Sequence, residues 1–236
     1  MKKYISNIEI STNQGTNAQI WENIFSQKEW GKYPSENLIR FIAKNFYNVK
    51  DRSKINILEL GLGTGANLWF CAKEGFSVSG IEWSKTGVER FKQRLENENL
   101  SHHIQEIKIG DYEQKLDEFK DESFDAIIDN CSLCCNNFTK TKKIFNKAIM
   151  KLKINGKFFS STISKGIEGY DNTNDDFQLP KSGIYTYIGM IRYSNKKDLK
   201  KLYKNKYFKW IKLQTQSLEA DNKLIDKLFI IEGERI

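Results

Sequence analysis

Hydrophobic and polar positions alternate along this chain in a pattern that predicts strands, each followed by a helix. Short apolar runs predict five strands, at 55–60, 77–81, 103–109, 124–129 and 156–163. Between them, apolar residues recur every three or four positions, which is typical of amphipathic helices. These helices are predicted at 66–73, 86–97 and 140–152. The alternation favours an α/β fold with a doubly wound, mostly parallel sheet and helices on both faces.

The two ends of the chain complete this prediction. Helical spacing at 18–30, and again from Pro34 to about 46, predicts an N-terminal helical cap within residues 1–50. The glycine-rich segment 164–192 predicts an insertion after the fifth strand that adds to the cap. A lysine-rich helix to about 204 and strands at 208–215 and 227–232 then close a seven-stranded sheet, one strand of it antiparallel. Residues 51–236 are therefore expected to form one α/β domain.

Composition narrows the function classes. The chain has 236 residues, enough to bury a core without metals or disulfides. Three of its four cysteines, Cys131, Cys134 and Cys135, lie within five positions, which indicates reduced thiols, so we predict no metal site. No apolar run can span a bilayer, and Met1–Asn7 lacks the apolar stretch of a secretory signal. We expect a cytoplasmic protein with no membrane partner.

The chemistry is concentrated in the segment Glu59-Leu60-Gly61-Leu62-Gly63-Thr64-Gly65, between the first strand and its helix. Glycines at alternate positions let the backbone turn tightly and approach a ligand closely. Backbone N–H groups at the start of the following helix favour negative charge. Such a loop suits either a dinucleotide pyrophosphate or the carboxylate of an amino-acid cofactor.

Two further strand ends carry polar residues that suit an adenosine. Glu82 ends the second strand, about 20 residues after the glycines, where an acid can accept from both ribose hydroxyls. Asp111 and Tyr112 follow the third strand, where an acid can accept from the adenine amino group and an aromatic ring can lie on the base. A nicotinamide enzyme would leave Asp111 without a role, so the spacing favours a different adenosine cofactor.

These segments together resemble the class I S-adenosylmethionine-dependent methyltransferases, which have a Rossmann-like fold. Glu59-x-Gly61-x-Gly63-x-Gly65 resembles their first motif, and the segments at 80–84 and 110–112 resemble their ribose and adenine motifs. The resemblance implies S-adenosyl-L-methionine as cofactor and implies a site formed by Glu59, Gly61, Gly63, Gly65, Glu82, Trp83, Asp111, Tyr112, Asp129 and Asn130. Asp129 or Asn130 would lie nearest the sulfonium.

The acceptor is expected to be a small metabolite methylated on oxygen or nitrogen, with a sugar or sugar nucleotide as our first choice. Its site would take aromatic and basic residues from the cap: Trp30, Tyr33, Tyr170, Tyr185, Tyr187 and Arg192. No residue is identified as a catalytic base, and His102-His103 is expected in a solvated turn.

Other functions stay open at this stage. The net charge of +8 permits a nucleic-acid or protein methyltransferase, although no aromatic–basic RNA-binding motif is present. A non-catalytic module that keeps the fold is a third hypothesis. An NAD-dependent dehydrogenase is the last, since Gly61-x-Gly63-x-x-Ala66 also fits the nicotinamide fingerprint.

Overall fold

The computed structural model describes residues 15–236, and it confirms the predicted alternation of strands and helices. The helices are α1 (Asn17–Gln27), α2 (Glu36–Phe46), α3 (Ala66–Lys73), α4 (Lys85–Asn97), α5 (Tyr112–Lys115), α6 (Phe138–Lys151) and α7 (Lys196–Leu202). The strands are β1 (Asn56–Leu60), β2 (Ser77–Glu82), β3 (Ile104–Ile109), β4 (Phe124–Asn130), β5 (Leu152–Ile163), β6 (Phe177–Gln178), β7 (Ile191–Arg192), β8 (Phe208–Ala220) and β9 (Lys223–Arg235).

Seven strands form one mixed sheet in the order β3-β2-β1-β4-β5-β9-β8. The first five are parallel, and β9 runs antiparallel to both β5 and β8, as predicted for a closing strand. Asp221 and Asn222 join β8 to β9 with φ of 50° and 60°, the left-handed backbone of a tight hairpin turn. The carboxyl ends of β1, β2, β3 and β4 therefore meet at one edge of the sheet, where a doubly wound fold places its ligand.

The core has a layer on each face of the sheet. On one face α2, α3 and α4 pack over β1 and β2; on the other α5, α6 and α7 pack over β4 and β5. A third, smaller cluster joins α1 to the insertion, through Ile20, Ile24, Ile167 and Ile191. No helix within residues 15–236 is both long enough and apolar enough to cross a bilayer.

The two N-terminal helices have different positions. Helix α2 belongs to the layer on the sheet, because Phe41 packs against Phe159 of β5 with 5.2 Å between ring centroids. Helix α1 packs on the insertion and on α4, so α1 and the insertion form the cap. The predicted cap 1–50 is described only from residue 15 onward, and the prediction about Met1–Asn7 falls outside the described residues.

Three predicted boundaries were wrong. Helix α2 begins at Glu36, because the Ser35 side chain caps it by accepting from the Leu38 amide, and Pro34 stays outside the helix. Strand β5 begins at Leu152, directly after α6, and not at 156 as predicted. Asn155 has a φ of 64°, and the register against β4 shifts there, so the first residues of β5 form a bulge. Strands β8 and β9 extend beyond the sheet as a polar hairpin.

Candidate functional site

The glycine loop joins β1 to α3, and its glycines are needed for close packing within the protein. A Cβ on Gly61 would lie 2.4 Å from the Ser132 Cβ and 2.5 Å from the Tyr112 hydroxyl. A Cβ on Gly65 would lie 2.0 Å from the ring of Phe91. Gly61 and Gly65 also have positive φ values of 78° and 85°, which other L-residues rarely adopt.

The loop's unused amide donors belong to residues other than its glycines. We predicted that the backbone of Gly61, Gly63 and Gly65 would face the ligand; Gly61 and Gly63 do line the adjacent cavity, while the three amides donate within the protein, to Ile81 O, Glu82 Oε2 and Leu62 O. The amides of three other residues make no hydrogen bond to any part of residues 15–236: Thr64, Ala66 and Asn67. These three line the adjacent cavity at the start of α3, where the helix dipole favours an anion.

That cavity lies between the loop and α1 and has an empty volume of about 720 Å³. This volume includes the open solvent at the mouth of the cavity. Its walls come from α1, the α1–α2 linker, the glycine loop, and the ends of β2 and β4. The predicted residues on the walls are Glu59, Gly61, Gly63, Glu82, Trp83, Tyr112, Asn130, Trp30 and Tyr33.

Glu59 ends up beneath the loop with half of its carboxylate unused. Its Oε1 accepts from Asn67 Nδ2 at 2.5 Å. Its Oε2 is buried with no hydrogen-bond partner among the described residues, and the same holds for Asn67 Oδ1. Burial, together with the nearby Glu82 and Asp129 carboxylates, raises the pKa of Glu59 to about 8. Two unpartnered acceptors at the cavity wall suit a cationic group with several N–H donors.

Glu82 connects the end of β2 to the glycine loop. Its Oε2 accepts from the Gly63 amide at 2.7 Å, and its Oε1 accepts from the Ser84 amide at 2.9 Å. Burial raises the pKa of Glu82, while these backbone amides oppose the rise. Each carboxylate oxygen retains a further lone pair, and Glu82 lines the cavity, so it can brace the loop and still accept from a ligand.

Trp83 and Tyr112 form a stacked pair beside Glu82. Their ring centroids are 5.1 Å apart with an interplanar angle of 11°. Tyr112 is buried, and burial raises its pKa well above the usual value. Because the two rings stack, the buried Tyr112 ring supports the Trp83 ring. Trp83 is only half-buried and lines this cavity, which makes it the more accessible of the two aromatic surfaces.

Asp111 lies in a second cavity that adjoins the first. Trp83 and Cys135 line both cavities, and Asp111 and Asn136 line only the second. Glu82 and Asp111 are at the same edge of the sheet, as expected, since the Gly110 amide donates to the Glu82 carbonyl at 2.8 Å. The carboxylate of Asp111 accepts from the Glu113 amide and forms an ion pair with Lys140.

Asp129 does not reach the cavity. Its fully buried carboxylate accepts from Ser132 N, Ser132 Oγ, Leu133 N and Ser160 Oγ, which fix the turn after β4. Asp129 was expected among the site residues and is instead buried away from the cavity, whereas Asn130, the other predicted residue of that pair, is on the cavity wall.

A family model of a methyltransferase domain matches residues 51–220 of the chain. The chain belongs to this methyltransferase family. It is therefore an S-adenosylmethionine-dependent methyltransferase, with the fold class and cofactor that the three strand-end motifs predict.

Three individual proteins illustrate this similarity. An uncharacterized methyltransferase of Schizosaccharomyces pombe is 21% identical over 222 residues, covering 87% of this chain and 76% of that protein. A SAM-dependent methyltransferase of Methanosarcina mazei has a TM-score of 0.67 at 16% identity, covering 86% of this chain and 99% of that one. Geranyl diphosphate C-methyltransferase of Streptomyces coelicolor, solved with S-adenosyl-L-homocysteine, has a TM-score of 0.68 at 10% identity, covering 94% and 99%. At these identities the solved structures show a shared fold.

Helix α1 covers the cavity of this methyltransferase with residues that sequence reasoning missed. Trp21 and Phe25, four positions apart on one face of α1, line the cavity and pack edgewise on Trp30. Glu22 holds the helix in place by accepting from Ser84 Oγ and from the hydroxyl and amide of Thr86. The i, i+4 spacing of Trp21 and Phe25 was a usable signal.

The predicted acceptor residues have three different positions. Trp30 and Tyr33 lie on the cavity wall, Tyr33 at its exposed rim. The three insertion tyrosines pack in the cap cluster outside the wall: Tyr170, Tyr185 and Tyr187. Arg192 was placed wrongly, because it is only 1% exposed and donates to the Asn136 carbonyl and the Ser194 hydroxyl, so it braces the insertion.

Cysteines border the methyltransferase cavity as reduced thiols. Cys131 and Cys135 line it, and all four cysteines are free. Burial raises the pKa of Cys131 well above its usual value, so a reactive thiolate is disfavoured. His102 and His103 lie in a short turn before β3, at the opposite end of the strand from the site.

Proposed function

We propose that this methyltransferase binds S-adenosylmethionine between the glycine loop and α1 and transfers its methyl group to an oxygen or nitrogen of a small molecule. The observation that carries the proposal is the charge pattern at the start of α3. Glu59, whose Oε2 is buried without a partner among the described residues, lines a cavity that is also lined by Thr64, Ala66 and Asn67, whose amides are unused. An acid beside bare amides is complementary to an amino acid's ammonium and carboxylate groups.

The adenosine end has matching partners in the same cavity. Glu82 would accept from the ribose hydroxyls through the lone pairs that Gly63 and Ser84 leave free. Trp83 would lie against the adenine ring, with Tyr112 fixing its orientation from the buried side. Asp111 and Asn136 line the neighbouring cavity, so they are the candidates for the edge of the base.

The sulfonium cofactor supplies an activated methyl group, so the protein has mainly to align and enclose the acceptor. Approximation of two bound reactants can contribute about 7–11 kcal/mol to lowering the barrier. Trp21, Phe25 and Trp30 cover the cavity from the cap side and exclude water there. Asn130 and Cys131 lie on the wall after β4, which makes them candidates for contacts near the transferred methyl.

A small acceptor is favoured over a macromolecule because aromatic side chains of the cap cover the cavity. The expectation of a sugar or sugar nucleotide stays a prediction. The alternative of a nucleic-acid substrate depends on the positive charge of the C-terminal half. Part of this charge is neutralised, because Lys209 forms an ion pair with Glu234 and Lys212 forms one with Glu232.

The test is calorimetric titration of the protein with S-adenosylmethionine and, separately, with NAD. We expect binding of the sulfonium cofactor and none of NAD. Glu82→Gln should raise the Kd for the cofactor about tenfold, the loss of one charged hydrogen bond. Glu106→Gln, on the neighbouring strand and outside the cavity, is the matched control. NAD binding, or an unchanged Kd in Glu82→Gln, would reject the assignment.

A further inference from the structure

The side chain of Lys28 makes an unusual set of contacts at the end of α1. Its Nζ lies 4.4 Å from the ring centroid of Tyr187 and 5.6 Å from that of Trp30. Within the described residues it forms no ion pair, although Glu29 is adjacent and pairs with Lys32 at 3.1 Å. The ammonium is therefore held by aromatic rings alone.

The backbone fixes where this lysine stands. Lys28 caps the end of α1, and its amide donates to the Ile24 carbonyl at 3.2 Å. Its own carbonyl accepts from Arg90 of α4 at 2.6 Å. Because the amide and the carbonyl of Lys28 are both hydrogen-bonded, the backbone holds its side chain beside the two aromatic rings.

Trp30 connects this cation site to the cofactor cavity. Its ring belongs to the cavity wall and also receives the Lys28 ammonium, so the two sites share one side chain. Tyr187 contributes from the insertion, the other half of the cap. Aromatic faces of this kind bind alkylated ammonium groups through the ring quadrupole.

An unpaired carboxylate lies in the same region. Asp226 accepts from the Tyr185 hydroxyl at 2.8 Å and forms no ion pair with any described lysine or arginine. Tyr185 belongs to the same cap cluster as Trp30 and Tyr187, so the Asp226 carboxylate lies beside that cluster. Its negative charge favours a cation there.

We propose that Trp30, on the cavity wall, and Tyr187, just outside it, bind the methyl acceptor at the edge of the cavity, that the acceptor is a small aliphatic amine in place of the sugar expected from the sequence, and that Lys28 occupies the site until the amine displaces it. The proposal rests on the proposed function. The protonated amine first loses its proton to water. The nitrogen lone pair then bonds to the methyl carbon as the carbon–sulfur bond breaks and its electron pair stays on sulfur.

The first experiment measures cation binding without turnover, by NMR titration of the complex with S-adenosylhomocysteine. The probes are tetramethylammonium and tert-butanol, a neutral molecule of similar size. Lys28→Ala should tighten tetramethylammonium binding about 2-fold to 30-fold, the range that a cation–π contact supplies. Tyr187→Leu should weaken it by a similar factor. The control is Tyr207→Leu, because Lys206 lies 4.7 Å over that ring on a separate surface.

The outcomes separate the two proposals. Unchanged tetramethylammonium affinity in both Lys28→Ala and Tyr187→Leu, or equal affinity for tert-butanol, would overturn the amine site while leaving cofactor binding intact. Failure of the wild-type protein to bind S-adenosylhomocysteine would instead overturn the proposed function. A second readout compares methyl transfer to small primary and secondary amines with transfer to alcohols of the same carbon skeleton; preference for the alcohols would also reject the amine.

Discussion

Three buried carboxylates lie beneath the glycine loop, and they differ in how many donors each one receives. Asp129 accepts from four donors, and Glu82 accepts from two backbone amides. Glu59 accepts at one oxygen from Asn67, and its other oxygen has no partner among the described residues. Of the three, Glu59 therefore gains most from a cationic ligand and is least able to keep its charge without one.

The pKa of Glu59 predicts how stability depends on pH in the absence of cofactor. Burial raises this pKa from 4.5 to about 8, so between these values the folded protein keeps a proton that the unfolded chain has lost. Stability from this group falls as pH rises, by about 1.4 kcal/mol per pH unit. Glu59→Gln keeps the shape of the side chain and cannot titrate. In denaturant unfolding from pH 5 to 8, the free energy of unfolding of the variant should therefore increase relative to that of the wild type by about 1.4 kcal/mol per pH unit.

The cofactor should remove this difference between the two proteins. If the ligand's ammonium pairs with an ionised Glu59, binding releases a proton, and the wild-type affinity should rise with pH while that of Glu59→Gln stays flat. Titration calorimetry in buffers of different ionisation enthalpy measures that proton directly. Parallel stability curves for variant and wild type across the range would show that Glu59 is already ionised in the free protein.

Sequence predicted some of these residues and missed others for physical reasons. Glu82 was predicted because it ends a strand at the edge where ligands bind, and Glu59 because it is the leading acid of the segment that resembles the first methyltransferase motif. Asn67 was missed because a polar residue in a helix gives no sign that it faces inward. Arg192 was placed wrongly, since a guanidinium bonded to a backbone carbonyl leaves no pattern in the sequence.

At the level of elements, helix α1 is attached to the insertion by an apolar cluster, and polar contacts fix it further. The Glu22 carboxylate accepts from Ser84 and Thr86 at the start of α4. Burial opposes its ionisation, but these hydrogen bonds outweigh burial and lower the pKa of Glu22. Asn17, at the other end of α1, donates to the carbonyls of Cys135 and Met190. Such contacts allow a cap that opens without unfolding the sheet.

Glu22→Ala should therefore loosen α1 selectively. Loss of charged hydrogen bonds worth about 1.5 kcal/mol should speed amide hydrogen exchange in α1 roughly tenfold and weaken cofactor binding. Exchange in α2, which packs on the sheet, should not change. Glu36→Ala is the control, because Glu36 is exposed and, among residues 15–236, forms an ion pair only with Arg40. Equal acceleration in α1 and α2 would mean that the two helices open as one unit.

Element boundaries were harder to predict than element order. The order of the elements follows from the alternation of apolar runs, and it stays the same when a predicted boundary is wrong by a few residues. The bulge at Asn155 and the polar extension of β8 lack an apolar pattern, since their residues pair through backbone hydrogen bonds with little core contact. Likewise helix α2 begins after Ser35 and not at Pro34, because the Ser35 side chain accepts from a helix amide that would otherwise have no partner.

At the scale of the whole molecule, the sheet is complete only when β9 is in place. This strand lies between β5 and β8, so the last residues of the described chain fill a gap inside the sheet. Arg235, near its end, is buried and donates to the carbonyls of Met150 and Leu152. It also forms an ion pair with Glu122 at 2.9 Å. One side chain thus joins β9 to the junction between α6 and β5.

Arg235→Met should destabilise the entire fold rather than one element. The substitution keeps the aliphatic stem but leaves two carbonyls without their charged donor, at a cost of about 2–4 kcal/mol in the free energy of unfolding. Arg235→Lys should be intermediate, because an ammonium cannot match the guanidinium's fork. Lys209→Met is the control, since Lys209 pairs with Glu234 of β9 at an exposed position and should cost under about 1 kcal/mol. Because β9 links both halves of the sheet, urea transitions followed by tryptophan fluorescence and by circular dichroism should shift together; separate transitions would show that β8 and β9 unfold independently of the parallel strands.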